Sequence, residues 1–385
     1  MRTICFISDG RTSHGIYKPV LDKIKLNKDL NYKYILAGFH YGKKHGDTYK
    51  FVIEEGYKIS HKIHLKINSN IESKQLLIIE YYISEIRKFL ETNHVDIFLG
   101  QGDRIITLAA SIVCAYLKIP FAHMHGGEIS GTFDETIRHT ITKLSDIHFT
   151  ASKKSQKRVL KLGENKNKVF LVGSTSAEHI IRLKKNNLKD IFLRHKINEN
   201  FANFCVLLFN PDNIRNHKNK NDVQTIINCL NKRKINTLMI YPNNDPYADE
   251  IINELLNAKN KRFLLVKNFK FNEYMTVLKN SIFLIGNSSG GIIETPSLQI
   301  PNILVGNRQL GREIANNTIN VKINKKQILK AIDFVTTQKF KLKINKKFKS
   351  PYLPLTNKQP SQKIIEILKK INLKNIKEKR LNFLI

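Results

Sequence analysis

Three places along this 385-residue sequence gather side chains whose chemistry goes beyond what packing needs. The first is Gly102-Asp103-Arg104, which directly follows the apolar run VDIFLGQ and precedes a helical stretch. A carboxylate there either caps the helix or moves protons. The second is the run HMHGGEISGTFDETIRHTITKLS beginning at His123, which holds His125, Glu128 and Asp134 within ten residues. Asp134 opens a helix, where the dipole favours its ionised form, as a general base requires. Thr132 and Glu135 fit a capping box, and Ile137, Ile141 and Leu144 mark the buried side. The plainer alternative for Asp134 is an ion pair with Arg138 one turn on, along a solvated face. His123 and His125 alternate along a strand, so a period of two puts them on one face. With Asp103 and His139 they raise a zinc site, and hence a metallohydrolase that chelation would reveal.

The third place is Gly286-Asn287-Ser288-Ser289-Gly290-Gly291, between a strand and the helix holding Glu294. It matches G-x-S-x-G, but a hydrolase of that type needs a histidine later in the chain, and none follows Ser288. What remains is a glycine-rich cradle whose backbone N–H groups and serine hydroxyls face a phosphate. Arg308 and Arg312, after the next strand, supply charge-assisted bonds to the same diphosphate.

The elements that must position these loops alternate between short β-branched runs and helical stripes, the signature of βαβ units and parallel sheets. Strands are predicted over 3–8, 34–39, 95–100, 119–125, 147–151 and 169–173, with helices over 73–92 and 105–117. A second series starts at Phe204 and continues at 237–241, 263–266, 282–286 and 302–306. The expected fold class is α/β with two Rossmann-like domains. The first covers 1–182 and the second 183–359, with a linker in the polar stretch Lys184–Asn203. A helical stripe in 360–385 needs another surface to cover it, and packing back on the N-terminal domain is expected. In open α/β sheets ligands bind beyond the carboxyl ends of strands, and all three chemical places lie there.

Composition narrows the function further. With 41% hydrophobic and 25% charged residues the chain is globular, and no run is long enough to span a membrane. No secretion signal opens the sequence, and four scattered cysteines without a CxxC pair read as reduced, so a cytoplasmic location is expected. The net charge of +33 comes mostly from lysines mixed with Asn and Ile. Without arginine-aromatic interleaving or a binding motif, it does not argue for nucleic acid.

Taken together, the ordered set GDR, HxHGGExSGxxDExxRHxITKLS, YPNND, GNSSxGxIExPS and GxRQxGR resembles the UDP-N-acetylglucosamine 2-epimerase family, in its hydrolysing branch, from Arg11 to about Asn317. The resemblance implies an arrangement like that of the GT-B glycosyltransferases, with the active site in the interdomain cleft and no metal or cofactor. It places catalytic acids on Asp103 and Asp134, and uridine-diphosphate contacts on Arg11, Ser288, Ser289, Glu294 and Arg308. Asn210 stands where the family has histidine before a proline, His125 where many relatives have glutamate, and Arg11-Thr12-Ser13-His14-Gly15 where Arg-Ala-Asp/Glu-Tyr-Gly is usual.

The implied reaction is anti elimination of UDP from UDP-N-acetylglucosamine, giving a 2-acetamidoglucal, then hydration to free N-acetylmannosamine. Asp103, His125, Glu128 and Asp134 form the proton-transfer set, with the C2 base unassigned among them. Rival readings are a 2,4-diacetamido-trideoxy UDP-sugar substrate of the legionaminic acid route and a GT-B glycosyltransferase. The expected partner is a UDP-sugar, with neither nucleic acid nor membrane, and the expected assembly is a homo-oligomer.

Overall fold

The computed structural model describes residues 1–42, 47–65, 73–181, 187–212, 218–243, 245–346, 350–353, 358–374 and 376–379. The chain forms two compact units, one of residues 1–129, 133–179 and 352–385 and one of residues 130–132 and 180–351.

The first unit is built on β1 (Arg2–Ser8), β2 (Leu30–Ala37), β3 (His61–Ile63), β4 (Ile97–Gln101), β5 (Phe121–Met124), β6 (Ile147–Thr150) and β7 (Val169–Leu171). They form one sheet in the order β3-β2-β1-β4-β5-β6-β7 with parallel pairings. Alternate residues of β1 feed opposite faces. Ile4 and Phe6 join one apolar cluster, and Cys5 and Ile7 join the other. Burial on both faces is why the central strands read as continuous apolar runs. The edge strand β3 is three residues long with a single buried position, so no such run announced it.

The second unit carries β8 (Phe204–Leu208), β9 (Asn236–Ile240), β10 (Phe263–Val266), β11 (Leu284–Gly286), β12 (Asn302–Val305) and β13 (Thr318–Val321). Their order is β10-β9-β8-β11-β12-β13, again with parallel pairings. Both sheets reverse direction of growth beside their first strand, between β1 and β4 and between β8 and β11. These are the topological switch points at which doubly wound sheets bind ligands.

Three expectations change. The predicted linker 184–203 lies partly outside the described residues, and the rest of it is structured. Helix Leu188–Arg194, capped by the Asn187 side chain, buries Ile191 and Phe192 in the second unit's core beside Ile197 and Phe201. The domain boundaries fall at 179/180 and 351/352, because the Ser174 amide donates to the Tyr352 carbonyl at 2.8 Å and ties that segment to the first unit. The tripeptide 130–132 counts with the second unit, where the Gly131 amide donates to the Arg308 carbonyl at 3.3 Å.

The terminal helix Pro360–Lys370 packs on helix Arg11–Lys25, and Ile364, Ile365 and Leu368 enter the same cluster as Ile4 and Phe6. Its first turn is held by Glu178, which accepts from both the Ser361 amide and hydroxyl at 2.7 Å.

Candidate active site

In the first unit, the loops that leave β1, β4 and β5 hold the side chains singled out in the sequence. Gly102 takes φ 67, and its amide donates to the Met124 carbonyl at 3.0 Å. Asp103 follows it but does not cap the next helix. The N-cap of Ile105–Tyr116 is Arg104, without a side-chain bond. The Asp103 carboxylate instead pairs with Arg138, whose guanidinium is 2% exposed and also donates to the Glu128 carbonyl at 2.9 Å. The solvated Asp134–Arg138 face is therefore corrected to a buried arginine. Asp134 begins the helix Asp134–Leu144 one turn ahead of it. The helix's N-cap is Phe133, in helical conformation and without a side-chain cap of its own.

The neighbouring Arg104 donates from Nε to Asp9 at 2.9 Å. Asp9 is buried and accepts from Ser13 at 3.0 Å, and Gln101 donates to the same serine hydroxyl at 3.1 Å. Asp9 and Arg104 lie 95 residues apart, and no spacing rule connects them. His14, next to Ser13, bonds Tyr34 through Nδ1 at 3.0 Å and Glu55 through Nε2 at 2.9 Å. Burial alone would raise the Glu55 pKa, but His14 and Lys18 outweigh it and bring it to about 2. Arg11 opens the helix Arg11–Lys25 immediately after Gly10.

His123 and His125 do not share a face. The strand ends at Met124, and His125 takes φ 63, in the left-handed region, which breaks the alternation. His123 Nε2 lies 2.8 Å from the Gly102 carbonyl and Nδ1 lies 3.2 Å from the Thr142 hydroxyl. A carbonyl only accepts, so Nε2 carries the proton. Burial pushes the His123 pKa down to about 3, against the raising effect of the Gly102 bond. Its ring is a neutral strut that fixes the Gly102–Arg104 loop. His125 Nδ1 lies 2.7 Å from Glu128 Oε1, with both side chains buried. Gly127, at φ 75, must be glycine, because a Cβ would stand 2.3 Å from the Ser155 carbonyl. Among the described residues no three His, Cys, Asp or Glu side chains gather in a way that could hold a metal ion.

In the second unit, β8 and β11 end side by side. The Asn287 side chain accepts from the Asn210 amide at 2.7 Å and donates to the Asn210 carbonyl at 2.8 Å, clamping the two loops across 77 residues. The Asn210 side chain, where the family has histidine, accepts from the Asn243 amide at 2.9 Å. Asn243 donates to Asp245 at 2.6 Å, and Asp245 faces Arg308 Nη2 at 3.4 Å. Arg308 Nε donates to the Pro211 carbonyl at 3.0 Å. Asn244, within the YPNND motif, lies outside the described residues.

Ser288 and Ser289 are partly exposed, and the Ser288 hydroxyl accepts from the Gly290 amide at 3.2 Å. The helix expected to hold Glu294 is two four-residue helices, Gly290–Ile293 and Thr295–Leu298, with Glu294 at the joint. Pro296 explains the break, since it has no N–H for a continuous ladder.

The structure thus links Asp103, Glu128 and His125 through Arg138 in one unit, and Asn210 and Arg308 through Asn243 and Asp245 in the other. Asp9 and Gln101 carry no motif of their own, Asp245 closes the YPNND motif without a role read for it, and Arg138 is buried rather than on a solvated face. Arg138 stands inside the second chemical motif, and an arginine flanked by apolar helix positions is the signal that was available for it.

Each of the two units is thus a doubly wound α/β sheet with polar side chains gathered beside its switch point. The chain matches the family described as UDP-N-acetylglucosamine 2-epimerase over residues 22–369, and it belongs to that family. It is 30% identical over 332 residues to the UDP-N-acetylglucosamine 2-epimerase of Neisseria meningitidis serogroup B, covering 86% of this chain and 87% of the relative. It is 29% identical over 332 residues to the hydrolysing UDP-N,N'-diacetylbacillosamine 2-epimerase of Legionella pneumophila, with the same coverage of 86% and 87%. Its fold matches the crystal structure of the Neisseria meningitidis UDP-GlcNAc 2-epimerase bound to UDP-GlcNAc, with a TM-score of 0.80 at 19% identity over 96% of this chain and 100% of that one. The Methanocaldococcus jannaschii UDP-GlcNAc 2-epimerase, in complex with UDP-GlcNAc and UDP, matches with a TM-score of 0.79 at 19% identity, over 95% and 99% of the two chains. Among the described residues no helix is long and apolar enough to cross a membrane.

Proposed function

We propose that this enzyme of the 2-epimerase family hydrolyses UDP-N-acetylglucosamine to UDP and N-acetylmannosamine by elimination and hydration. Ser288, Ser289 and Arg308 hold the diphosphate, with Arg11, Asn210 and Glu294 as further nucleotide contacts. Asp103, His125, Glu128 and Asp134 handle protons. The C2 proton of the sugar is weakly acidic, so removing it requires a positioned base together with stabilisation of the leaving diphosphate. The observation that carries this reading is the linkage of Asp103 to the His125–Glu128 pair through buried Arg138, in a chain that matches the family over 22–369. A cytoplasmic homo-oligomer working without cofactor completes it.

A second substrate is favoured by one comparison. The relative named for UDP-N,N'-diacetylbacillosamine is within one percentage point of the relative named for UDP-N-acetylglucosamine, at 29% against 30% identity. Incubation with each UDP-sugar in heavy water, with no acceptor, tests both. The expected result is free UDP and N-acetylmannosamine carrying deuterium at C2. Protium at C2 would overturn the elimination, turnover of only the 2,4-diacetamido sugar would move the substrate, and UDP release that begins only when an acceptor is added would indicate a glycosyltransferase.

A further inference from the structure

We propose that Nε2 of His125 is the base that takes the C2 proton and that Glu128 is the residue that positions it. This rests on the elimination reading above and assigns the one role that the residue types leave open. His125 follows the end of β5 at φ 63, held there by its own amide donating to the Phe149 carbonyl at 3.0 Å. A non-glycine residue in that region is uncommon, and such positions cluster at functional sites.

The ring chemistry follows from its partner. Nδ1 lies 2.7 Å from Glu128 Oε1, and the two side chains are 7% and 3% exposed. An ionised carboxylate only accepts, so the neutral ring carries its proton on Nδ1 and its lone pair on Nε2. Nε2 is buried and has no hydrogen-bond partner among the described residues. A carboxylate that fixes the tautomer and stabilises the imidazolium, with the far nitrogen left unpartnered, is the arrangement of a histidine base.

The other buried histidines near by lack it. His123 uses both ring nitrogens. His148 faces Glu164, which is already engaged by Lys143 and Lys379 at 2.8 Å each, and it lies inside β6 rather than beyond a strand end.

Nε2 takes the proton from C2, the C2–H electron pair becomes the C1=C2 double bond, and the C1–O bond breaks with its pair leaving on the diphosphate. Water then adds its oxygen to C1 as one of its O–H bonds breaks, and an acid on the opposite face gives a proton to C2 and is reprotonated by the proton that water released. The imidazolium returns its proton to solvent. His125 is thus needed for elimination but not for the delivery that inverts C2.

The test separates the two half-reactions. Purified His125→Gln, Glu128→Gln and wild type are each assayed for UDP release from UDP-N-acetylglucosamine and for hydration of 2-acetamidoglucal with UDP present. Calorimetric UDP binding checks that each variant is folded. In His125→Gln, UDP release is expected to fall by at least about a hundredfold, while glucal hydration stays within about tenfold of wild type. In Glu128→Gln the amide oxygen still accepts from Nδ1, so kcat for elimination falls by roughly ten- to a hundredfold with KM nearly unchanged. Equal loss of both half-reactions in His125→Gln, or loss of neither, would overturn the assignment. Wild-type enzyme that releases no UDP from any UDP-N-acetylhexosamine would overturn the function itself, a result distinct from an active wild type with an indifferent His125.

Discussion

Arg138 donates to the Asp103 carboxylate through Nη2 and to the Glu128 carbonyl through Nη1 at 2.9 Å, so one buried guanidinium joins residues 35 and 10 positions away. Removing one partner of a buried charge pair leaves the other unpaired, which costs up to about 3–5 kcal/mol; the partial exposure of Asp103 reduces this to about 2–3. Arg138→Met is expected to destabilise by that amount and to lower turnover at least about a hundredfold, through loss of positioning. Asp103→Asn added to Arg138→Met should cost little more in turnover, because the two act as a unit. Denaturant unfolding and product assays on the single and double variants check it. Fully additive losses would show that the pair is not one device.

Acid stability follows from the buried histidines and carboxylates. Burial lowers the His123 and His40 pKa values from 6.5 to about 3, so below 6.5 the unfolded chain binds protons that the folded chain refuses. Stability then falls as pH drops from about 6.5 toward 3, by about 1.4 kcal/mol per pH unit for each group. Glu55 and Glu164 have folded values of about 2 against 4.5. Burial opposes this lowering, and the histidine and lysine partners outweigh it. Their contribution is present above 4.5 and is lost as pH falls through that window to about 2. Urea midpoints should therefore decline from pH 7 to 5 and more steeply below 4.5. His123→Asn should flatten the upper part by about one proton. Midpoints that do not change from pH 7 to 5 would contradict it.

What the sequence could reveal was decided by burial and by distance along the chain. The central strands announced themselves because both faces are apolar, as in Phe204–Leu208, where all five residues are buried. Edge strand Thr318–Val321 buries one residue of four and left no such pattern. The loops beyond strand ends were legible for the same reason, since they interrupt those runs with Asp103, Glu128 and Ser288. Their partners were not. Asp9 meets Arg104, and Asn287 clamps Asn210, across separations that only the sheet order creates. The left-handed turn at His125 was equally hidden, because the alternation of His123 and His125 looks like strand until the backbone is seen.

Gly286 makes the second unit's switch point sensitive to a single methyl group. It sits at φ +148, and a Cβ would stand 1.9 Å from the Leu208 carbonyl of the paired strand β8. Gly286→Ala must push β8 and β11 apart and is expected to cost about 2–4 kcal/mol and to weaken UDP binding. Gly10→Ala is the control, since nothing lies within 4 Å of its Cβ position, and its effect should stay within about 0.5 kcal/mol. Equal unfolding midpoints for the two variants would refute the close-approach argument.

The last expectation divides binding from chemistry between the two units. Arg308 is held by the Pro211 carbonyl and by Asp245 but keeps donors for a further anion, since a guanidinium has five and the bonds described use two. If it binds the diphosphate, Arg308→Ala should weaken UDP binding by roughly 2 kcal/mol, the scale of a lost charge-assisted bond. Asp103 and Asp134 belong to the other unit, so Asp103→Asn and Asp134→Asn should leave UDP affinity nearly unchanged while lowering turnover at least about a hundredfold. Asp245→Asn is the intermediate case. It removes the charge that aims Arg308 but leaves the Pro211 bond, so UDP affinity should fall by less than in Arg308→Ala. Calorimetric titration of UDP into each variant, beside product assays, reads both quantities. Folded aspartate variants with near-normal turnover would make Asp103 and Asp134 structural residues, and an Arg308→Ala protein that binds UDP like wild type would move the diphosphate elsewhere in the second unit.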